Sequence, residues 1–256
     1  MEKSIFTKDY LVSRLITMDK QVDGYNKVYY QANENLIDYL DTDFEDKDVF
    51  SVLASSDQVF TARFLDAKRV DSFDYNRLTL YYYYLRVWAI KYANELYPLV
   101  LGGNRWLKHL LTMVKPQNEQ ELRVVQFFAS HVKDHTDLNQ LFFDIDAQPQ
   151  GKTLYTKAEE LKDYASSDLT FHHLDLFKQF ELDTTYDILL ISNILEWARG
   201  DEKKLQIAHD NLNRLLRPNG TIICSNLINR DIKKEQEIFK DYEFNKTGTT
   251  YTYTRR

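Results

Sequence analysis

Residues 186–227, YDILLISNILEWARGDEKKLQIAHDNLNRLLRPNGTIICSNL, hold a strand, a loop, a helix, a Pro-Asn-Gly turn and a second strand in immediate succession. Few folds accommodate that order. The apolar run 188–191 is short and continuous, as expected of a strand buried on both faces of a parallel sheet. Leu205, Ala208, Leu212, Leu215 and Leu216 then recur at helical spacing. Proline lacks the amide that a helix needs and glycine accepts a left-handed turn, so Arg217, Pro218, Asn219 and Gly220 predict a stop before an apolar strand at 221–224. In an open α/β sheet a ligand lies outside the carboxyl ends of the strands. Ser192 and Asn193, which close the first strand of this block, are therefore candidate site residues, and Glu196 and Trp197 share their loop.

The same alternation appears earlier. Val49 to Leu53 read as a first strand ending at Ala54, Ser55, Ser56 and Asp57; a helix follows over 58–66, and 69–74 read as a second strand. A long helix carries Leu78, Leu80, the tyrosine run 81–84, Leu85, Val87, Trp88 and Ile90. Four successive helical residues point in four directions, so the tyrosines predict packing and not a flat stacking platform. A third strand is expected at 169–174, with His172 and His173 as structural residues. The alternating Thr and Tyr of TGTTYTYT predict a C-terminal antiparallel hairpin around Gly248. The mixed charges of 231–240 read as a solvated helix face. Residues 1–45 carry a helical lead-in pattern, and 95–150 show amphipathic helical stretches without a clear strand, which reads as a helical insertion within one 256-residue domain.

A formal net charge of -6 argues against a general grip on phosphate backbones, so no nucleic-acid partner is expected. The single Cys224 excludes an internal disulfide and a cysteine-built zinc site, and no metal is expected; mid-strand, it reads as a small buried hydrophobe. Charges interrupt the first residues where a signal peptide would be apolar, and no run of about 18 apolar residues occurs. A cytoplasmic protein without a transmembrane segment is the expectation, with peripheral membrane contact left open.

A strand, a tight turn, a helix and an acidic residue ending the next strand form a physical recipe for holding an adenosine, because a carboxylate accepts from both ribose hydroxyls. Asp74 lies 17 positions after Asp57, against roughly 20 in that recipe. Tyr75 and Asn76 extend the same strand end. The glycine-rich turn is absent: Ala54, Ser55, Ser56 and Asp57 stand where it would be, which restricts positive φ and close approach of a pyrophosphate. That disfavours a nicotinamide dinucleotide more than a cofactor without phosphate.

The block 186–227, with its strand, helix and Arg-Pro-Asn-Gly turn, resembles the later half of a class I S-adenosylmethionine (AdoMet) dependent methyltransferase. The resemblance implies a Rossmann-like α/β fold: a mostly parallel sheet with a C-terminal antiparallel strand, here with N-terminal helices and an inserted helical subdomain. It also implies AdoMet as cofactor, with Asp175 accepting from the adenine amino group and Leu176 among the apolar neighbours of the ring. NENL at 33–36, VLASSDQ and FDYNRLTLYYYYLRVWAIK resemble more closely the diacylglycerol 3-amino-3-carboxypropyl transferases and their bacterial relatives, departing where Asn76-Arg77 replaces Asn-Pro. Methyl transfer and aminocarboxypropyl transfer to a small-molecule or lipid acceptor are then the two expected reactions. Candidate catalytic residues are Tyr29, Glu34 and Glu196, a glutamate serving as base if burial raises its pKa. Tyr25, Asn33 and Trp197 are candidate acceptor contacts. A methyltransferase-like domain that serves as an inactive binding or scaffolding module is the alternative.

Overall fold

The computed structural model describes residues 28–29, 32–76, 78–92, 122, 152–155, 158–166, 168–227 and 232–256. The expected lead-in over 1–45 is described only from 28 and the expected insertion over 95–150 only at Leu122; the rest of both, Tyr25 included, lies outside the described residues. The chain divides into two compact units. One comprises 1–31, 76–149 and 155–167, and the other 32–75, 150–154 and 168–256.

The second unit contains a seven-stranded sheet: β1 (Asp48–Val52), β2 (Arg69–Asp74), β3 (Phe171–His173), β4 (Tyr186–Ser192), β5 (Leu216–Ser225), β6 (Tyr242–Thr247) and β7 (Thr250–Arg255). Their order across the sheet is β3-β2-β1-β4-β5-β7-β6. β1 to β5 pair in parallel, whereas β7 runs antiparallel to both β5 and β6. This is the Rossmann-like, class I methyltransferase arrangement, and the reversal of order at β1 and β4 creates the crevice such sheets use for ligands.

Central position explains composition. All five residues of β1 are buried, as is every residue of β4 except Asp187. Phe50 of β1 stacks between Phe73 and Tyr186, with ring centroids at 4.7 and 4.8 Å. Helix α1 (Asp57–Phe64) follows β1. In the other unit, α2 (Leu78–Tyr92) buries Tyr81, Tyr82 and Tyr83, as the packing role predicts, and Tyr83 donates its hydroxyl hydrogen to the Ser166 carbonyl. The helix before β5, α3 (Glu202–Leu215), packs Leu205, Ala208, Leu212 and Leu215 inward. The Asp201 carboxylate accepts from the Lys203 and Lys204 amides, satisfying two of the donors a helix start leaves open. Asn211 on the same helix donates to the Leu176 and Lys178 carbonyls, which pins the segment after β3. Helix α4 (Lys233–Ile238) exposes Lys233, Lys234 and Glu237, the solvated face expected there, and buries Glu235 on its other side, where the carboxylate accepts from Tyr253 at 3.0 Å.

Pro218, Asn219 and Gly220 do not form a turn between helix and strand. β5 begins at Leu216, directly after α3, and the three residues form an irregularity within it: Tyr186 pairs with Leu216 and Ile188 already with Thr221. Asn219 supplies a φ of 61°. Gly220 is required for space, since a Cβ there would lie 2.9 Å from the carbonyl oxygens of Arg217 and Asp187. Gly220→Ala is expected to cost roughly 2 kcal/mol by overpacking against backbone, measured as a lowered urea midpoint at unchanged m-value.

Candidate active site at the strand exits

Five strand exits meet at one edge of the sheet. Leaving β1, the Ser56 amide donates to the Leu53 carbonyl at 2.5 Å, closing a tight turn in which Ala54 and Ser56 take φ values of 40° and 78°. These are the left-handed conformations that the missing glycines would have supplied, reached at a cost of about 1–2 kcal/mol each. Sequence reasoning expected residues other than glycine to restrict positive φ here, and the turn adopts it all the same. The turn is fixed from β2: Asp74, half-buried, accepts the Ala54 amide on Oδ2 at 2.9 Å. Asp74 therefore stands at the exit of β2, joined to the exit of β1.

Ser55, Ser56 and Asp57 are fully buried. The Asp57 carboxylate lies in the first turn of α1, where the helix dipole favours it, and accepts the Ala32 amide at 2.6 Å and the Ser55 hydroxyl at 2.8 Å. Ser56 Oγ is buried with no hydrogen-bond partner. Ser56→Gly removes both the strained φ and the orphaned hydroxyl, against a rise in unfolded-state entropy; a net gain of about 1 kcal/mol in urea unfolding is expected.

Next to Asp74, the Tyr75 carbonyl is held by His173 Nε2 at 2.8 Å, and the Lys178 ammonium lies 5.8 Å from the Tyr75 ring centre. His172 packs on Phe50, and its burial lowers its pKa, consistent with the structural role read for both histidines. Asp175 caps its own turn, accepting the Phe177 amide at 3.0 Å, with Lys178 at 3.7 Å from its other oxygen. Leu176 is packed in the core at 3% exposure. Asn76 and Tyr29 belong to the other unit. There the Asn76 side chain accepts the Leu78 amide at 3.0 Å and its carbonyl accepts from Thr79, starting α2.

At the exit of β4, Ser192 is buried with a φ of 51°. Asn193 begins a 3-10 turn, Ile194–Ala198, in which Glu196 is buried and Trp197 half-buried. Ser192 points its hydrogen bond at Glu34. Glu34, a candidate base on the condition that burial raises its pKa, has its pKa raised by burial. It is fully buried; one carboxyl oxygen accepts from Gln58 and the other from Ser225 and, at 3.4 Å, from Tyr39. Both of its oxygens are engaged within the protein. Asn33, beside it, is half-buried. Gln58 and Ser225 were not singled out from sequence, although each is a polar residue at the edge of an apolar strand or helix, the same signal that marks Ser192. Cys224 is buried and its thiol is pushed well up by burial, which leaves it inert, as its mid-strand position suggests.

A separate cavity of about 320 Å³ lies over the antiparallel strands, lined by Asp38, Asp43, Glu243, Asn245, Thr250 and Thr252. Its acidic lining disfavours anions. Among the described residues no group of three His, Cys, Asp or Glu side chains is arranged to hold a metal ion, and no helix is long and apolar enough to cross a membrane.

No protein-family model and no curated protein matches this chain. Among solved structures, the ribosomal protein L11 methylase of Lactobacillus delbrueckii subsp. bulgaricus aligns at 10% identity and a TM-score of 0.39, covering 86% of this chain and 74% of its own. The N-methyltransferase NodS of Bradyrhizobium japonicum WM9 aligns at 7% identity and a TM-score of 0.36, over 100% and 99% of the two chains. The rRNA methyltransferase aviRa of Streptomyces viridochromogenes aligns at 11% identity and a TM-score of 0.39, over 100% and 94%. The strand order, read from the hydrogen bonding of the sheet itself, is what defines the architecture here.

Proposed function

We propose that this chain is an AdoMet-dependent transferase, moving a methyl or 3-amino-3-carboxypropyl group to a small-molecule or lipid acceptor. The observation that carries the reading is the Asp74 carboxylate at the exit of β2, bonded to the amide of a turn at β1 whose backbone is left-handed without glycine. Strained non-glycine residues persist where surrounding structure over-determines them, and such positions gather at functional sites. Ala54, Ser56 and Ser192 all lie at the crevice of the sheet.

The residues fit the group in part. Asp74 would take the ribose hydroxyls, and the Tyr75 ring and Asp175 would meet the adenine. Ser56 Oγ, buried and without a partner, is a polar atom that a ligand could satisfy. When bound, the cofactor supplies an electrophilic carbon on a sulfonium. The protein's contribution is to orient that carbon toward the acceptor and to exclude water. Asn193 and Trp197, leaving β4, would contact the acceptor, and the net charge of -6 favours an acceptor other than a nucleic acid.

A second reading, a binding module without catalysis, is favoured by the complete burial of Ser55, Ser56 and Asp57 and by the Asp57 carboxylate already occupying the start of α1. Incubation with AdoMet labelled separately on the methyl group and on the aminocarboxypropyl arm, together with cell metabolite and lipid extracts, separates the two. Transfer of either label to an acceptor supports the enzyme and names its reaction. Cofactor binding without transfer of either label would favour the module.

A further inference from the structure

Two carboxyl groups hold the segment 32–36 across the sheet. At its start, the Ala32 amide donates to Asp57 at 2.6 Å; at its end, the Leu36 amide donates to the Lys152 carbonyl at 2.8 Å. Between them Glu34 reaches groups from four elements: Gln58 of α1, Ser192 at the exit of β4, Ser225 at the exit of β5, and Tyr39 of the 3-10 turn Leu36–Asp41. We propose that segment 32–36 is a proton-operated latch across the exits of β1, β4 and β5, closed while the central Glu34 side chain is uncharged.

The geometry supplies the reasons. Glu34 is fully buried, and among the described residues the side chains hydrogen-bonded to it are neutral: an amide, two serine hydroxyls and a tyrosine hydroxyl. An uncharged carboxyl is accommodated when one of the hydroxyls of Ser192, Ser225 and Tyr39 turns from donor to acceptor and takes its single proton, while the others go on donating to its oxygens. A carboxylate in the same place carries a buried charge that hydrogen bonds offset only in part. Burial accordingly raises the Glu34 pKa above the ordinary glutamate value, outweighing the bonds from Ser225, Gln58, Ser192 and Tyr39 that favour the anion.

Tyr39 and Cys224 also face the cage. Burial pushes Tyr39 and Cys224 well up, and the charges of Glu34 and Asp38 raise Tyr39 further. Asp57 and Asp38 are the remaining acids beside the segment; Asp57 holds Ala32, and Asp38 accepts from Thr250 at 2.9 Å. The sign follows from linkage. The folded pKa lies above the unfolded one, so the latch is fully closed below the unfolded value and weakens as pH rises through the folded one. Opening the latch uncovers the fully buried turn Ser55–Ser56 and the exits of β4 and β5, so ligand access to the crevice becomes pH-dependent. The latch is a property of the fold and stands apart from the cofactor reading.

Amide hydrogen exchange tests it without any cofactor. The Ala32 and Leu36 amides are the probes, measured from about pH 5 to about pH 8 and corrected for the intrinsic rise of exchange with pH. In the wild type, protection at both is expected to fall by up to about tenfold per pH unit between the open-state and the raised closed-state Glu34 values, and to level off above the latter. Glu34→Gln keeps a neutral side chain of the same shape and is expected to hold protection constant across the range. Circular dichroism checks that both proteins remain folded, and Glu34→Asp serves in place of a glutamine variant that does not fold, with an expected shift of the pH midpoint. Wild-type protection independent of pH, or the same slope in Glu34→Gln, would overturn the latch.

Discussion

Asp74→Ala is expected to weaken binding of S-adenosylhomocysteine by about 100-fold, the equivalent of roughly 2.7 kcal/mol. Two losses combine. The carboxylate would make two charge-assisted hydrogen bonds to ribose hydroxyls, each worth about 1.5–3 kcal/mol. It also holds the Ala54 amide at 2.9 Å, so its removal frees a turn that sits at φ values ordinary residues avoid. Asp74→Asn separates these effects, because one amide oxygen still accepts from Ala54 while the charge is gone. A loss of about tenfold is expected for that variant. Calorimetric titration of the three proteins is the measurement, and equal affinities across them would remove Asp74 from the site.

Asp57→Ala is expected to lower the stability of the protein by about 3 kcal/mol, more than any other substitution considered at the crevice. The side chain is fully buried and accepts two hydrogen bonds, from the Ala32 amide and the Ser55 hydroxyl. Truncation leaves both donors buried without that acceptor, each at a cost of about 1–3 kcal/mol, and deletes a favourable charge from the first turn of α1. Asp57→Asn keeps one acceptor oxygen and is expected to lose about half as much. Urea unfolding at constant m-value checks the order alanine below asparagine below wild type. Identical midpoints would show that the Asp57 contacts contribute nothing net.

Elements governed by local pattern were legible in the sequence. β2 occupies Arg69–Asp74, the stretch read as the second strand, and the terminal hairpin turns at Gly248, whose φ of 60° is the reason a glycine stands there. The continuous apolar run at 188–191 marked a central strand because neighbours bury both of its faces. Features fixed by distant partners were not legible. Pro218, Asn219 and Gly220 carry turn chemistry, yet the register of β5 on β4 absorbs them as an irregularity inside a strand. Glu34 read as a candidate base if burial raised its pKa, and the sequence near it does not show what buries it. Its actual environment comes from Gln58, 24 residues away, and Ser225, 191 away. Glu235 lies on a helix with the expected solvated face, yet is itself buried by Tyr253, 18 residues on. A charged side chain is assigned to water or to core by contacts that no local window contains.

Titration of the wild-type protein with S-adenosylhomocysteine by calorimetry tests the central claim most directly, since it asks only whether the crevice at the exits of β1 and β2 takes an adenosine. Saturable binding with one site per chain and a Kd on the order of 1–100 µM is expected, with adenosine competing and NADH inert. No heat and no competition at millimolar ligand would contradict the account, leaving the sheet and its buried carboxyl groups as architecture without a cofactor.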